Sequence, residues 1–134
     1  MTTVTDLLAT HPLDGDRALV AACVEACLDC STACTVCADA CLAEDSVARL
    51  RSCIRLDQDC ADLCAATARI ITRSGARSET ARAVLIACAS GCDDCADECA
   101  RHAGMHEHCA ACADACRRCA RACRDLLAAP GTPM

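Results

Sequence analysis

Cysteine is the residue whose number and spacing in this chain point most directly to chemistry. It accounts for 18 of the 134 residues. The first six are separated by alternating gaps of four and three residues, at Cys23, Cys27, Cys30, Cys34, Cys37 and Cys41. This is the a/d spacing of a heptad, and on a helix it places all six thiols on one face over about 27 Å. The spacing predicts a buried stripe of sulfur where leucine would ordinarily form the core.

Three further groups of cysteines follow the same rule. They are Cys53, Cys60 and Cys64, then Cys88, Cys92, Cys95 and Cys99, then Cys109, Cys112, Cys116, Cys119 and Cys123. Asp57 fills the slot that a cysteine would take in the second group. Its carboxylate either bonds a neighbouring helix or handles metal, as a ligand or as an acceptor of thiol protons. The 18 cysteines and Asp57 are the predicted metal-binding residues of the core.

Four cysteine groups need four helices to position them. Helices are expected over residues 16–43, from a cap at 45 or 46 to 73, over 79–103 and over 105–129. Asp14 or Asp16 caps the first, Gly75 ends the second and Ser78 caps the third. Because the connections are short, neighbouring helices are antiparallel. The predicted fold is all-α, an up-down antiparallel four-helix bundle with a cysteine-lined core over residues 14–129. Residues 1–13 form an N-terminal extension with a short helix over 5–10, and residues 130–134 a C-terminal tail.

The two ends of the predicted bundle differ in character. Continuing the heptad past the cysteines at one end leads to aliphatic residues that would seal it, namely Val20, Ile71, Leu85, Leu126 and Leu127. At the other end the frame passes from Cys99 through His102 and His106 to Cys109, with Met105 and His108 adjacent. These four residues are interpreted as a metal-binding mouth, the alternative being a polar turn between two helices.

Two features of the helix surfaces remain open from the sequence. Leu56, Leu63 and Ile70 form an apolar stripe at heptad spacing beside the cysteines of the second helix. The stripe either packs against a neighbouring helix or contacts another subunit. Gly91 lies within the third helix, where it either permits close helix approach or is simply tolerated.

Composition excludes several classes of protein. The net charge is −6, which argues against nucleic acid as a partner. No stretch of some 18 apolar residues predicts a membrane helix, and the first residues show no export signal. We therefore expect a cytoplasmic protein with reduced thiols. The chain contains no aromatic residue, and a core of alanine and cysteine should be only modestly stable until metal fills it. No nucleophile–base pair stands out, so an enzyme is not expected.

Several thiol chemistries fit this pattern poorly. Helical neighbours lie too far apart for disulfides within a stripe. Zinc held by four thiolates keeps a net negative charge that is costly to bury, and the uneven cysteine counts of the helices argue against layers of four. Iron–sulfur clusters use four clustered cysteines and give no reason for a long stripe. Thioredoxin-like chemistry belongs with strands, which the pattern does not predict.

Cu(I) fits the pattern best. It is a soft ion that thiolates select, and one Cu(I) per thiolate is electrically neutral. A two-coordinate ion spans sulfurs about 4.5 Å apart, if the bond length resembles that of zinc. Cysteines three or four residues apart can reach that distance, so each helix would carry a ladder of two-thiolate sites.

The repeated CxxxCxxCxxxC runs, with His and Met at one mouth, resemble the bacterial copper storage proteins, and the missing export signal resembles their cytosolic branch. The resemblance covers residues 14–129. It implies a homotetramer of bundles that stores multiple Cu(I) ions on luminal cysteines and takes them up at the His/Met mouth. It also implies an oxygen-bearing side chain near copper, for which Asp57 is the matching position, and a copper donor and acceptor such as a chaperone or small thiol. The second helix departs from the pattern with three cysteines. Zinc or cadmium sequestration is the alternative function, and an iron–sulfur redox protein a more distant one.

Overall fold

The computed structural model describes residues 3–12 and 16–130, and these residues fold into helices joined by short turns. The short helix α1 spans Val4–Ala9, and the four long helices are α2 (Arg17–Leu42), α3 (Arg51–Ser74), α4 (Glu79–His102) and α5 (Glu107–Ala128). A 3₁₀ turn, Val47–Leu50, leads into α3. The predicted four long helices and the short N-terminal helix are therefore present, and the described residues contain no strand.

The four long helices form a closed square. Each packs against its neighbours in chain order, and α5 returns to pack against α2. The connections are short, so successive helices run in opposite directions. Their inward faces meet along one axis, which is lined by cysteine from end to end. The predicted all-α four-helix bundle with a cysteine-lined core is confirmed.

Three helix ends use the residues that the sequence predicts. The Asp16 carboxylate accepts a hydrogen bond from the backbone N–H of Leu19 at 3.2 Å and caps α2. The alternative cap, Asp14, lies outside the described residues. Ser78 caps α4 in the same way. Gly75 ends α3 with a φ of 58°, a left-handed conformation that glycine adopts without a steric penalty.

Two helix starts differ from the prediction. The helix expected from residue 45 or 46 begins as the 3₁₀ turn, which has no side-chain cap. This turn buries Leu50, 1% exposed, against the cysteine core. The last helix begins at Glu107 rather than Met105, because the backbone N–H groups of Met105 and His106 donate to the His102 carbonyl and close a turn.

Gly91 allows α3 and α4 to approach closely. A Cβ atom built at Gly91 would lie 2.6 Å from Leu63 Cδ1, much closer than such atoms approach in real proteins. Leu63 therefore packs against a neighbouring helix of its own chain, and a side chain at position 91 would force Leu63 to shift. Leu56 of the same stripe is partly buried against the core cluster.

By length and composition, α2 is the one helix of the described chain that could cross a membrane. This differs from the expectation that no such segment exists. The reason is that cysteine counts as an apolar residue, and α2 carries six. All six thiols face the interior of the bundle, where they are fully buried.

Candidate metal centre

The 18 thiols form one buried lumen. Every cysteine is 0% exposed, and every one is free rather than disulfide-bonded. The helices supply them because the alternating spacing of four and three residues keeps successive cysteines on the inward face. The lumen therefore contains all of the cysteines that the sequence predicts as ligands.

Sulfur atoms approach each other within a helix and between helices alike. The Sγ atoms of Cys30 and Cys34, one turn apart, are separated by 3.9 Å. Between helices, Cys30 Sγ lies 3.6 Å from Cys116 Sγ. The Sγ atoms of Cys53 and Cys99 are 3.4 Å apart. A metal ion in this lumen thus has sulfur neighbours on several helices, beyond the ladder along each helix that the spacing suggests.

The thiols also gather into overlapping groups of four. In each group the Sγ atoms all lie within 4.8 Å of one another. Examples are Cys27, Cys88, Cys119 and Cys123; Cys30, Cys60, Cys64 and Cys92; Cys34, Cys95, Cys112 and Cys116; and Cys37, Cys41, Cys53 and Cys109. These groups are not layers with one thiol from each helix, because one helix can contribute two sulfurs to the same group.

These distances constrain the coordination of a bound ion. With metal–sulfur bonds of about 2.3 Å, a linear two-coordinate ion needs sulfurs about 4.6 Å apart, and a trigonal one needs about 4.0 Å. Within a helix, the pairs Cys30–Cys34 and Cys37–Cys41 are separated by 3.9 and 4.0 Å. The Sγ–Sγ distances in the lumen fit three sulfurs around each ion, whereas a linear site requires the two sulfurs of a pair to move slightly apart.

Asp57 places one carboxyl group among these thiols. It is 0% exposed, and its Oδ1 atom lies 3.1 Å from Cys95 Sγ and 3.2 Å from Cys112 Sγ, both of which donate to it. Burial, which disfavours the charged carboxylate, raises the pKa of Asp57 to about 8. The inward direction predicted for Asp57 is confirmed. Its oxygens bond thiols of α4 and α5, within reach of the same ions that those thiols would bind.

His108 is the imidazole that reaches the thiols. Its Nδ1 atom lies 3.5 Å from Cys37 Sγ and 3.6 Å from Cys109 Sγ. Its Nε2 atom is 3.2 Å from Glu44 Oε1. The histidine therefore links the lumen on one side to a surface carboxylate on the other, and it forms the end of the metal-binding chamber.

The other three predicted mouth residues lie outside the thiol lumen. His106 stacks against the His108 ring and approaches Glu44, with its Nδ1 3.5 Å from Oε1. His102 pairs with Glu98 on its own helix at 2.7 Å. Met105 is 79% exposed. His106 follows the turn between α4 and α5, which ends the heptad extended through it, so its predicted inward register is wrong. His102, the last residue of α4, bonds the Glu98 carboxylate on its own helix.

Two thiols near this end, those of Cys41 and Cys109, favour the protonated form before they bind metal. Burial raises the pKa of Cys109 to about 11 and raises that of Cys41 as well. Since the thiolate is the form that ligates metal, each of these thiols must lose its proton when an ion binds.

The lumen contains no positive charge. Twelve of the 13 arginines are exposed and the other, Arg77, is only partly buried. Apart from the thiols, Asp57 is the only fully buried ionisable side chain among the described residues. The charge of bound thiolates must therefore be neutralised by the metal ions themselves.

One luminal residue was missed from the sequence. Thr67 lies three residues after Cys64 and four before Ile71, in register with both, and it is fully buried. The same counting that led from Cys60 to Cys64 leads to Thr67. The side chain of Thr67 is neither a thiol nor a carboxylate, so it does not belong to the pattern of metal-binding residue types.

Comparison with known proteins gives consistent matches. The copper storage protein family profile matches residues 16–128. The copper storage protein Ccsp of Streptomyces lividans, loaded with 10 copper equivalents, superposes with a TM-score of 0.90 and is 58% identical; the match covers 94% of this chain and 98% of that one. The Cu(I)-bound copper storage protein BsCsp3 gives a TM-score of 0.74 at 41% identity, covering 82% and 99%. YhjQ of Bacillus subtilis, an uncharacterized cysteine-rich protein, is 42% identical over 80% of this chain and 94% of its own length.

Proposed function

Because the chain belongs to the copper storage protein family, we propose that it stores Cu(I) in the cytosol, bound to the thiolates that line its bundle. A structure of copper loading to a cytosolic copper storage protein from Streptomyces lividans, with five coppers, is 57% identical to this chain. The observation that carries the proposal is the continuous lumen of 18 buried, free thiols. Such a lumen can accept many ions in contact with one another.

Charge favours Cu(I) over zinc in this lumen. The four-cysteine groups would also accommodate the tetrahedral geometry of zinc. A zinc ion with four thiolates keeps net negative charge, however, and the arginines lie too far outside to offset it. One Cu(I) per thiolate leaves the lumen neutral, so filling it does not accumulate buried charge.

Asp57 and His108 complete the proposed ligand set. Asp57 offers an oxygen beside Cys95 and Cys112, and His108 offers a nitrogen beside Cys37 and Cys109. Imidazole binds Cu(I) more weakly than thiolate does, which suits a ligand that receives an ion and passes it on. Met105, which is 79% exposed, and the partly buried His102 and His106 act as first contacts for arriving copper.

The proposal includes partners and an assembly. A chaperone or a small thiol delivers the copper and later accepts it, because Cu(I) passes directly from one thiolate ligand to another. The protein acts as a homotetramer, as the resemblance to its family implies. Support comes from the outer face of α2, which exposes Leu28, Val36 and Leu42. We propose that copper is cargo rather than a reactant, and the full burial of Cys37, the sulfur nearest to His108 Nδ1, supports this.

Anaerobic titration of the reduced protein tests the proposal. Cu(I) and Zn(II) are added separately in the presence of a competing chelator, and the bound equivalents are counted. We expect many Cu(I) ions per chain, held against the chelator, and few Zn(II). Zinc uptake that exceeds copper uptake in number and strength would overturn the assignment. Native mass spectrometry of the same samples reports the tetramer.

A further inference from the structure

Thr67 occupies a luminal slot of α3 that carries no cysteine. The inward residues of this helix follow the spacing of four and three without interruption, as Cys53, Asp57, Cys60, Cys64, Thr67 and Ile71, and all are fully buried. Thr67 therefore holds the position of a fifth ligand, between the last cysteine of α3 and the isoleucine that seals the closed end.

The hydroxyl of Thr67 has no hydrogen-bond partner. Among the described residues, its Oγ1 is the one buried side-chain nitrogen or oxygen without one. Thr72, on the same helix, shows the ordinary solution by donating to the Ala68 carbonyl at 2.6 Å. Leaving a buried hydroxyl unpaired destabilises a protein, and such groups are rare. The metal-free protein thus holds a donor whose acceptor is missing.

The nearest chemistry along α3 is a group of thiols at the closed end of the bundle. Cys64, one turn before Thr67, has its Sγ 3.7 Å from Cys88 Sγ and 3.8 Å from Cys119 Sγ. Both of those cysteines belong to the group formed with Cys27 and Cys123, which we call the closed-end group. The hydroxyl lies beside this group in the helical register.

We propose that Thr67 donates a hydrogen bond to a copper-bound thiolate of the closed-end group and thereby strengthens copper binding at that end. A neutral thiol is a weak acceptor, whereas a thiolate carries the negative charge that makes such bonds strong. Cysteine side chains move between staggered rotamers, and the proposal requires one such movement to bring an Sγ atom to the hydroxyl when copper binds. Thr67 is a positioning residue rather than a ligand, because Cu(I) prefers sulfur to a hydroxyl oxygen. The inference rests on the proposed function.

The experiment compares three variants with the wild-type protein. Thr67→Val has nearly the same shape and lacks the hydroxyl, Thr67→Ser keeps the hydroxyl, and Thr72→Val removes a hydroxyl of α3 that already has a partner. Each protein is unfolded with urea in its metal-free form. Each is then loaded with Cu(I) and titrated with a Cu(I) chelator, while the ultraviolet sulfur-to-copper absorption is recorded.

Loss of the proposed bond has a distinct signature. In Thr67→Val we expect metal-free stability equal to or above that of the wild type, an unchanged copper count, and a subset of ions bound about tenfold more weakly. The absorption band should shift, and Thr67→Ser should restore both the band and the binding. Loss of metal-free stability in Thr67→Val, or a chelator curve that coincides with that of the wild type or Thr72→Val, would overturn the inference. The proposed function fails separately, if the wild type itself takes up no Cu(I).

Discussion

Replacing Asp57 with asparagine should remove a pH dependence from the stability of the metal-free protein. The carboxyl group is fully buried among thiols, and its pKa rises from 3.8 to about 8, chiefly because burial disfavours the charged form. Between these two values the folded protein keeps a proton that the unfolded chain has lost. The folded state therefore binds more protons, and stability falls as the pH rises from about 4 to about 8.

The expected effect is large for a protein of this size. Each pKa unit corresponds to about 1.4 kcal/mol, so between pH 5 and pH 8 the wild type should lose about 4 kcal/mol of its unfolding free energy. Small domains are stable by only about 5–15 kcal/mol in total. At pH 5 the asparagine variant resembles the wild type, because both carry a neutral side chain. At pH 8 the variant should be the more stable protein.

Urea unfolding of the reduced, metal-free proteins measures this directly. Helical circular dichroism is followed at several pH values between 5 and 8, in the presence of a chelator. Asp59→Asn is the matched control, since Asp59 lies on the same helix and is exposed. The reasoning is refuted if wild-type stability stays constant or rises over this range, or if Asp57→Asn retains the wild-type decline.

Four further predictions follow from the same geometry. Copper capacity should approach 18 Cu(I) per chain, with about one proton released per ion, since neutrality is reached there; a plateau at four or five in the titration would instead indicate isolated sites. Loading should raise the melting temperature strongly, while circular dichroism shows the metal-free protein to be already helical. His108→Ala should slow both Cu(I) uptake and chelator-driven removal in stopped-flow experiments without changing the final count, and His102→Ala should do so less; equal rates for His108→Ala and wild type would place uptake elsewhere. The change in unfolding free energy caused by Gly91→Ala should be less favourable in the wild type than in a Leu63→Ala background, by about 1 kcal/mol or more, because the new Cβ would collide with Leu63 Cδ1. If urea unfolding shows that the effects of the two substitutions simply add, the contact is contradicted.

The fold was predictable because a single residue type carries the helical period. Spacing of four and three from Cys23 to Cys41 is incompatible with strands, and four such groups joined by short connections leave few arrangements other than a bundle. The aliphatic seal was predictable by the same counting, and Ile71, Leu85 and Leu126 are indeed buried at that end.

The arrangement of the mouth residues could not be predicted by extending the heptad along the sequence, because that extension assumes an unbroken helix. The turn after His102 changes the direction of the chain, so α5 starts with a rotation that the register of α4 does not determine. His106 consequently occupies the cap position of α5, and His108, two residues later, points to Cys37 and Cys109. The start of α3 was shifted for a related reason, since burying Leu50 requires the 3₁₀ turn that precedes it.

Geometry alone does not make this lumen selective, and charge supplies what geometry lacks. The four-cysteine groups have separations that suit three or four sulfurs around an ion, which describes zinc as well as Cu(I). A divalent ion with four thiolates needs a nearby cation, yet the arginines lie at the surface and the one fully buried ionisable side chain other than the thiols, Asp57, is an acid. The bundle therefore excludes from its interior the groups that would stabilise an anionic cluster. Only an ion that neutralises its own thiolate can fill such a lumen along its whole length, and among thiophilic metals that condition favours Cu(I).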